Sequence, residues 1–330
     1  MKHDSRVLLF IGLFIGALAA FSGCQRSAGF RQDQDYYRES SMYSSPSSQA
    51  SASKRFESMG QPRKKIVVLD FWNDTPIKQA TIGTFAADEL RRSLYVTQRM
   101  IVPTDLRTEF GTRDFVQADR GNGDQVRVAQ LVREGRRLGV AVIGIGRIAK
   151  IVFRQRGDEV GLLRQTQSLA AADVELKLFD VAAGREILSI GRSGQAASNA
   201  LISVESENQQ SNEYRSELTQ LAVRDAVAQL VPDVIRSVEK LAWQGRIAKI
   251  TGGKYFINSG KGSGLIQGDI LKVMTSGEEV YDPATGAYLG RAPGQLKGTI
   301  EVVDFLGADG AVGALHTGGN FQEGDTVQLY

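Results

Sequence analysis

The stretch Asp173-Val174-Glu175-Leu176-Lys177-Leu178-Phe179-Asp180, continued by Val181-Ala182-Ala183-Gly184 and Arg185–Arg192, decides the fold. Val174, Leu176 and Leu178 alternate with Glu175, Lys177 and Phe179, the period-two pattern of a strand with one face in a core. Ala182-Ala183-Gly184 then turns the chain into a second strand. Upstream, Val140–Ile145 is a short continuous apolar run of buried-strand type, extended through Arg147–Phe153. Ile66-Val67-Val68-Leu69 is another such run and ends in Asp70-Phe71-Trp72-Asn73-Asp74.

Helical periods separate these strands. Ile82, Phe85, Ala86, Leu90 and Leu94 mark one face of a helix over 81–95. Arg99–Pro103 reads as a second strand stopped by its proline. Asp124 is placed to cap a helix carrying Val128, Leu131, Val132 and Leu138, with Gly139 as its stop. Glu213–Leu241 is a long amphipathic helix in which Pro232 either kinks or splits the chain. The order β-α-β-α-β-β-β-α predicts an α/β domain over 63–243, with helices packed on a mixed sheet. From Gln244 the chain turns glycine-rich and loses its long helical period, which predicts a small all-β domain, barrel or sandwich, over 244–330.

The first 62 residues read differently. A basic start (Lys2, Arg6) precedes the apolar run Val7–Ala20 and the segment Phe21-Ser22-Gly23-Cys24. Its 14 residues fall short of the roughly 20 that a spanning helix needs, and match a secretory signal over 1–23. Residues 24–62 are rich in Ser and Gln and poor in aliphatics, and are expected to be a disordered tether. Its reach is about 35 Å as a coil and about 125 Å fully stretched.

Composition narrows the function. Removing the signal lowers the formal charge of +3 by one, which is no signature of nucleic-acid binding. Cys24 is the only cysteine and His316 the only histidine beyond the signal, so disulfides, cysteine–zinc sites and histidine-based triads or dyads are not expected. No cofactor is expected, and the chain reads as non-enzymatic. Gly144-Ile145-Gly146-Arg147-Ile148-Ala149 spells a dinucleotide fingerprint, but a strand follows where a helix is required. The small residues are instead expected to let a helix pack closely. Gly260-Lys261-Gly262-Ser263-Gly264 has Tyr255 where a phosphate loop needs its first glycine, and reads as a β-connection. Eight basic side chains over 127–156 (Arg127, Arg133, Arg136, Arg137, Arg147, Lys150, Arg154, Arg156) form a candidate partner surface for anionic lipid, cell-wall polymer or an acidic protein. The simpler reading, and the one the pattern favours, is a solvated helix face plus a hairpin tip.

The segment closing on Cys24 resembles a bacterial lipobox. That resemblance implies acylation of the Cys24 thiol, cleavage before it, and a lipid-anchored protein. Gln25 after the cysteine then implies the periplasmic face of the outer membrane. Together with the tether, Ile66–Asp74, the 81–95 helix and Val174–Ile190, it resembles the CsgG family of curli-secretion lipoproteins over about 64–242. The same layout occurs in proteins of the TolB N-terminal type. Residues 244–330 resemble the C-terminal domain of the flagellar assembly protein FlgT, through Gly245-Arg246-Ile247, Tyr255-Phe256-Ile257-Asn258, Gly264–Asp269, Asp282-Pro283-Ala284-Thr285-Gly286, Leu289-Gly290 and Gly324-Asp325.

These resemblances imply an envelope protein, oligomeric through copies of itself, with a structural or assembly role in a surface or motility apparatus. Two alternatives stay open. One is a ring-forming secretion channel, which implies two membrane hairpins per subunit; the segments in question, around 150–168 and Ser193–Tyr214, are largely polar. The other is a lipoprotein activator of a cell-wall synthase, within reach of the tether.

Overall fold

A computed structural model describes residues 61–76, 81–103, 116–117, 125–157, 165–201 and 212–330. In chain order the first domain contains β1 (Ile66–Val68), β2 (Trp72–Asn73), α1 (Ile82–Val96), β3 (Val116–Gln117), β4 (Gln125–Val126), α2 (Val128–Leu138), β5 (Val142–Gly157), β6 (Gln165–Asp180), β7 (Arg185–Leu201) and α3 (Asn212–Glu239). The second contains β8 (Gln244–Thr251), β9 (Lys254–Ile257), β10 (Ile270–Met274), β11 (Glu279–Tyr281), β12 (Tyr288–Arg291), β13 (Leu296–Leu306), β14 (Gly310–Gly318) and β15 (Thr326–Leu329). The two domains fall within one compact unit.

The sheet of the first domain is mixed, as expected. β1 and β2 pair in parallel with successive parts of β5, while β5, β6 and β7 form an antiparallel meander. Strand alternation sends Val142, Ile148, Val174, Leu176 and Leu178 to an inner face under α1 and α3. Ile143, Ile145 and Phe179 go to the outer face under α2, beside Val67, Leu69 and Leu131. α3 contributes Ala222, Val223, Ala226, Val227, Leu230, Val231 and Val234 to the inner core, all essentially inaccessible. Burying each large aliphatic stabilises the fold by about 1.5–3 kcal/mol.

α2 ends as its sequence predicts, with Gly139 in the left-handed conformation at φ 68°. Four expectations need correction or fall outside the described residues. Arg99–Pro103 forms no strand; a single bridge joins Ile101 to Lys65, and so short a segment before Pro103 extends no ladder. Pro232 does not split α3, which runs through it as one helix; it sits on the exposed side of a helix held by the core on the other. Arg127, without a side-chain bond, occupies the N-cap of α2, and Asp124 lies outside the described residues. Cys24 and its lipobox also lie outside them.

β6 and β7 are much longer than their apolar patterns, and include parts of the segments considered as membrane hairpins. There the inner face carries Ser168, Ala170, Ala172, Gly194 and Ala196, small residues that fit directly beneath α3. At Gly194 an added Cβ would lie 2.2 Å from both Ala222 O and Ala226 N. Among the described residues, no helix is long and apolar enough to cross a membrane.

The second domain resolves to a closed six-stranded barrel, in the order β10-β13-β14-β9-β8-β15. Trp243, Ile247, Ile257, Leu271, Val273, Ile300, Val302 and Val327 fill it. Lys297 and Asp325 make a bond of 2.7 Å with side chains 14% and 6% exposed. β11 and β12 leave the barrel as a separate two-stranded arm. Its tip is the turn Asp282–Gly286, in which Asp282 Oδ1 accepts from the N–H groups of Ala284 and Thr285 and Gly286 takes φ +69°, as the Asp-Pro-x-x-Gly pattern predicts.

Candidate partner surfaces

The structure divides the basic stretch 127–156 into two groups with different tasks. Two of those on α2, Arg133 and Arg136, face the barrel domain. Arg133 donates to Glu279 Oε2 at 3.3 Å and to the Tyr281 hydroxyl at 3.4 Å. Arg136 donates to Ser276 Oγ, and its carbonyl accepts from Arg246 of β8. Arg291 of β12 pairs with Glu279 Oε1 at 3.6 Å, and its backbone N–H reaches Ala183 O in the β6–β7 turn. Arg137 turns to Glu134 one turn away, and Arg127 is exposed. Arg133 and Arg136 are therefore committed within the chain, because the arm brings a carboxylate, a phenol and a serine hydroxyl onto the helix.

Glu279 is the hub of this latch. A hydrogen bond from Tyr281, followed by the charges of Arg133 and Arg291, holds its carboxyl below the usual carboxylate value. Arg136 is pushed down to about 10 by burial and by the nearby charges of Arg291 and Arg246. Sequence reasoning missed Glu279, Tyr281, Arg246 and Arg291, because nothing local in an arm strand indicates which helix it will meet.

A second attachment uses the glycine-rich loop. Gly260–Gly264 forms a single 3-10 turn rather than a phosphate cradle opening a helix. Its carbonyls receive the entering chain: Arg63 donates its backbone N–H to Ser263 O and a guanidinium N–H to Gly262 O, each at 2.6 Å. Lys65 reaches Asn258 O at 3.5 Å. The turn must be glycine-rich because it lies against the β13–β14 connection, where a Cβ on Gly260 would meet Gly310 O at 2.4 Å. The fingerprint-like glycines of β5 also serve packing, though not against a helix. The space beside Gly146 is filled by the Phe71 ring, 2.3 Å from where a Cβ would stand, and Gly144 faces Leu178, Leu176 and Val68.

Arg147, Lys150 and Arg154 lie on the outer face of the sheet. Arg147 is held by Glu175 at 2.6 Å and Asp74 at 3.1 Å. The strand register then places Lys150–Asp173–Ser193, Val152–Ala171–Gln195 and Arg154–Leu169–Ala197 in successive rows across β5, β6 and β7. Those first two rows and the Arg154–Leu169 pair line a shallow depression of about 260 Å³. Asp173 accepts from the Ser193 hydroxyl at 2.6 Å. Lys150 and Arg154 make no ion pair among the described residues. Arg156 continues β5, with its side chain outside the described residues. The platform is bounded by the edge strand β7, whose outward groups are occupied: Gln195 N–H donates to Asp225 Oδ2 at 3.0 Å, and Ser193 O accepts from Gln229 at 3.1 Å. Among the described residues no group of three or more His, Cys, Asp or Glu side chains could hold a metal ion.

No family model matches the chain, and no curated protein matches it. Solved structures align with about half of it. The protein CT253 of Chlamydia trachomatis is 14% identical, covering 53% of this chain and 98% of its own, at a TM-score of 0.32. Lipoprotein GNA1162 of Neisseria meningitidis is 14% identical over 54% and 99%, at 0.26. The PelC dodecamer of Paraburkholderia phytofirmans is 14% identical over 52% and 88%, also at 0.26. Likeness at this level assigns the chain neither a family nor a function.

Proposed function

We propose that this chain is a non-enzymatic, lipid-anchored envelope protein with a structural or assembly role, held at the periplasmic face of the outer membrane through Cys24 and working by contact between copies. The observation that carries this reading is the open sheet platform with two cations, Lys150 and Arg154, that make no ion pair among the described residues, on a body whose α2 arginines Arg133 and Arg136 are already used to hold the barrel. Charge complementarity favours a second copy as the occupant. The barrel domain over 244–330 holds 9 acidic against 7 basic side chains, so the basic platform of one copy can meet the acidic barrel of the next. Such a head-to-tail contact closes into a ring or grows as a filament. The lipobox and the resemblances to curli-secretion and flagellar-assembly proteins support the same reading.

The test is the mass of the full-length protein extracted in detergent, by light scattering with negative-stain imaging, beside the variant Lys150→Glu/Arg154→Glu. A discrete assembly that the variant loses is expected. A monomeric wild-type protein would sink the assembly reading and bring the cell-wall activator forward. Mass spectrometry of the N-terminal peptide tests the anchor separately, with acylated Cys24 as the expected species.

A further inference from the structure

The junction between the α/β domain and the barrel gathers cations in excess of its carboxylates. Arg133 and Arg136 come from α2, Arg246 from β8 and Arg291 from β12, and the acid Glu279 pairs with two of them, Arg133 and Arg291. Arg136 and Arg246 also line a cleft of about 60 Å³, together with Gly139, Asp180, Gln244, Asn258 and Thr326. One water needs about 10–15 Å³ by this measure, so the cleft has room for an ion several times larger.

The donors there are incompletely used. A guanidinium carries five N–H donors. Among the described residues Arg246 makes one side-chain bond, to Arg136 O, and Arg136 makes one, to Ser276 Oγ, so both acceptors are neutral. Two half-buried guanidinia whose acceptors are neutral keep N–H donors available to an anion. Asn258 adds a third donor. Its Oδ1 is taken by the Arg246 backbone N–H at 2.8 Å, which turns Nδ2 toward Gly139 on the cleft wall. The acid on the wall, Asp180, accepts the backbone N–H of Ala182 at 2.9 Å, and burial raises its carboxyl above the ordinary aspartate value against the pull of that bond.

We infer that this cleft binds a small oxyanion of the phosphate class between the guanidinia of Arg136 and Arg246, with the Asn258 amide as a further donor. The geometry suits a tetrahedral anion, which accepts from donors arriving on several sides, and guanidinium–phosphate pairs are strong and directional. Because the two arginines belong to different domains, the anion also ties the barrel to α2.

The test is calorimetric titration of the full-length chain in detergent with inorganic phosphate at constant ionic strength, with glycerol phosphate as a second probe. Saturable binding at one site is expected. Arg246→Gln should weaken it about tenfold or more, whereas Arg137→Gln, away from the cleft, should leave it unchanged. Asp180→Asn keeps the turn's acceptor oxygen and removes a like charge, so it should tighten binding even if Arg246→Gln fails to fold. Absence of saturable binding, or indifference to Asp180→Asn, would overturn the site. Equal binding of glycerol phosphate would assign it to the phosphate of a larger molecule, and exclusion of glycerol phosphate to the free ion.

Discussion

Replacing Gly194 by alanine is the sharpest test of how α3 seats on the sheet. The new Cβ would stand 2.2 Å from Ala222 O and Ala226 N and 2.9 Å from Ala226 Cα. All three are backbone atoms of a helix, so no side chain can rotate away. Restoring ordinary contact requires the helix to lift by about 1 Å, a gap that forfeits a quarter to a half of each dispersion contact it crosses. The lift would also stretch the bonds from Gln195 N–H to Asp225 and from Gln229 to Ser193 O. Overpacking of this kind costs typically 1–3 kcal/mol, and the backbone obstacle puts Gly194→Ala near 3. Alanine recovers about 0.4–1 kcal/mol by restricting the unfolded chain, leaving a net loss of about 2 kcal/mol. For a domain of this size class that lowers Tm by about 4–8 °C, read from the helical circular-dichroism signal. Gly252→Ala is the control: its φ of +59° brings strain, but no atom lies within 4 Å of the new methyl, and the cost is about 1–2 kcal/mol, confined to the barrel. If Gly194→Ala melts within about 2 °C of the wild type, α3 does not sit on β7 as described.

Three further outcomes are expected. Asp225→Ala with Gln229→Ala uncovers the middle of edge strand β7, and exposed edges pair with one another; light scattering should show self-association rising with concentration. Lys297→Met leaves Asp325 buried with the Gln322 N–H as a remaining partner, costing about 3–5 kcal/mol, read as early unfolding of the barrel by Trp243 fluorescence in a Trp72→Phe background. The folded carboxyl of Glu279 lies below its ordinary value of 4.5, so its contribution is present above that value and is lost as pH falls through the depressed one. Wild type and Glu279→Gln should therefore differ in Tm at neutral pH and converge in acid, and a difference that persists in acid would show that its charge does not hold the arm.

The elements with strong periodicity were legible in the sequence: β1, α1, α2 with its Gly139 stop, the aliphatic half of β6, and the change to a β domain at Gln244. What escaped was written in weak letters. The first half of β6 and the last half of β7 present Ser168, Ala170, Ala172, Gly194 and Ala196 to α3, residues chosen for smallness, with little β propensity or hydrophobic contrast. The hydropathy of those segments suggested departure from a membrane strand without revealing a globular one. The basic stretch was visible as charge, yet charge alone does not tell Arg136, committed to the barrel, from Lys150, left on the open sheet. That distinction depends on Ser276, Glu279 and Arg246, more than a hundred residues away in the chain. The turn Asp282–Gly286, by contrast, was fully readable, since its bonds are local.

The clasp between Arg63 and the Gly260–Gly264 turn also bears on mechanics. Tension arriving along the chain from the N-terminal side meets the two bonds to Gly262 O and Ser263 O before it reaches β1. The barrel thus takes the first share of any load, and β1, a buried strand at the end of the sheet, is spared being peeled from β5. Should the clasp yield, the pull passes to the ladder between β1 and β5, so the two attachments would fail in sequence, with the barrel acting as strain relief for the domain beside it.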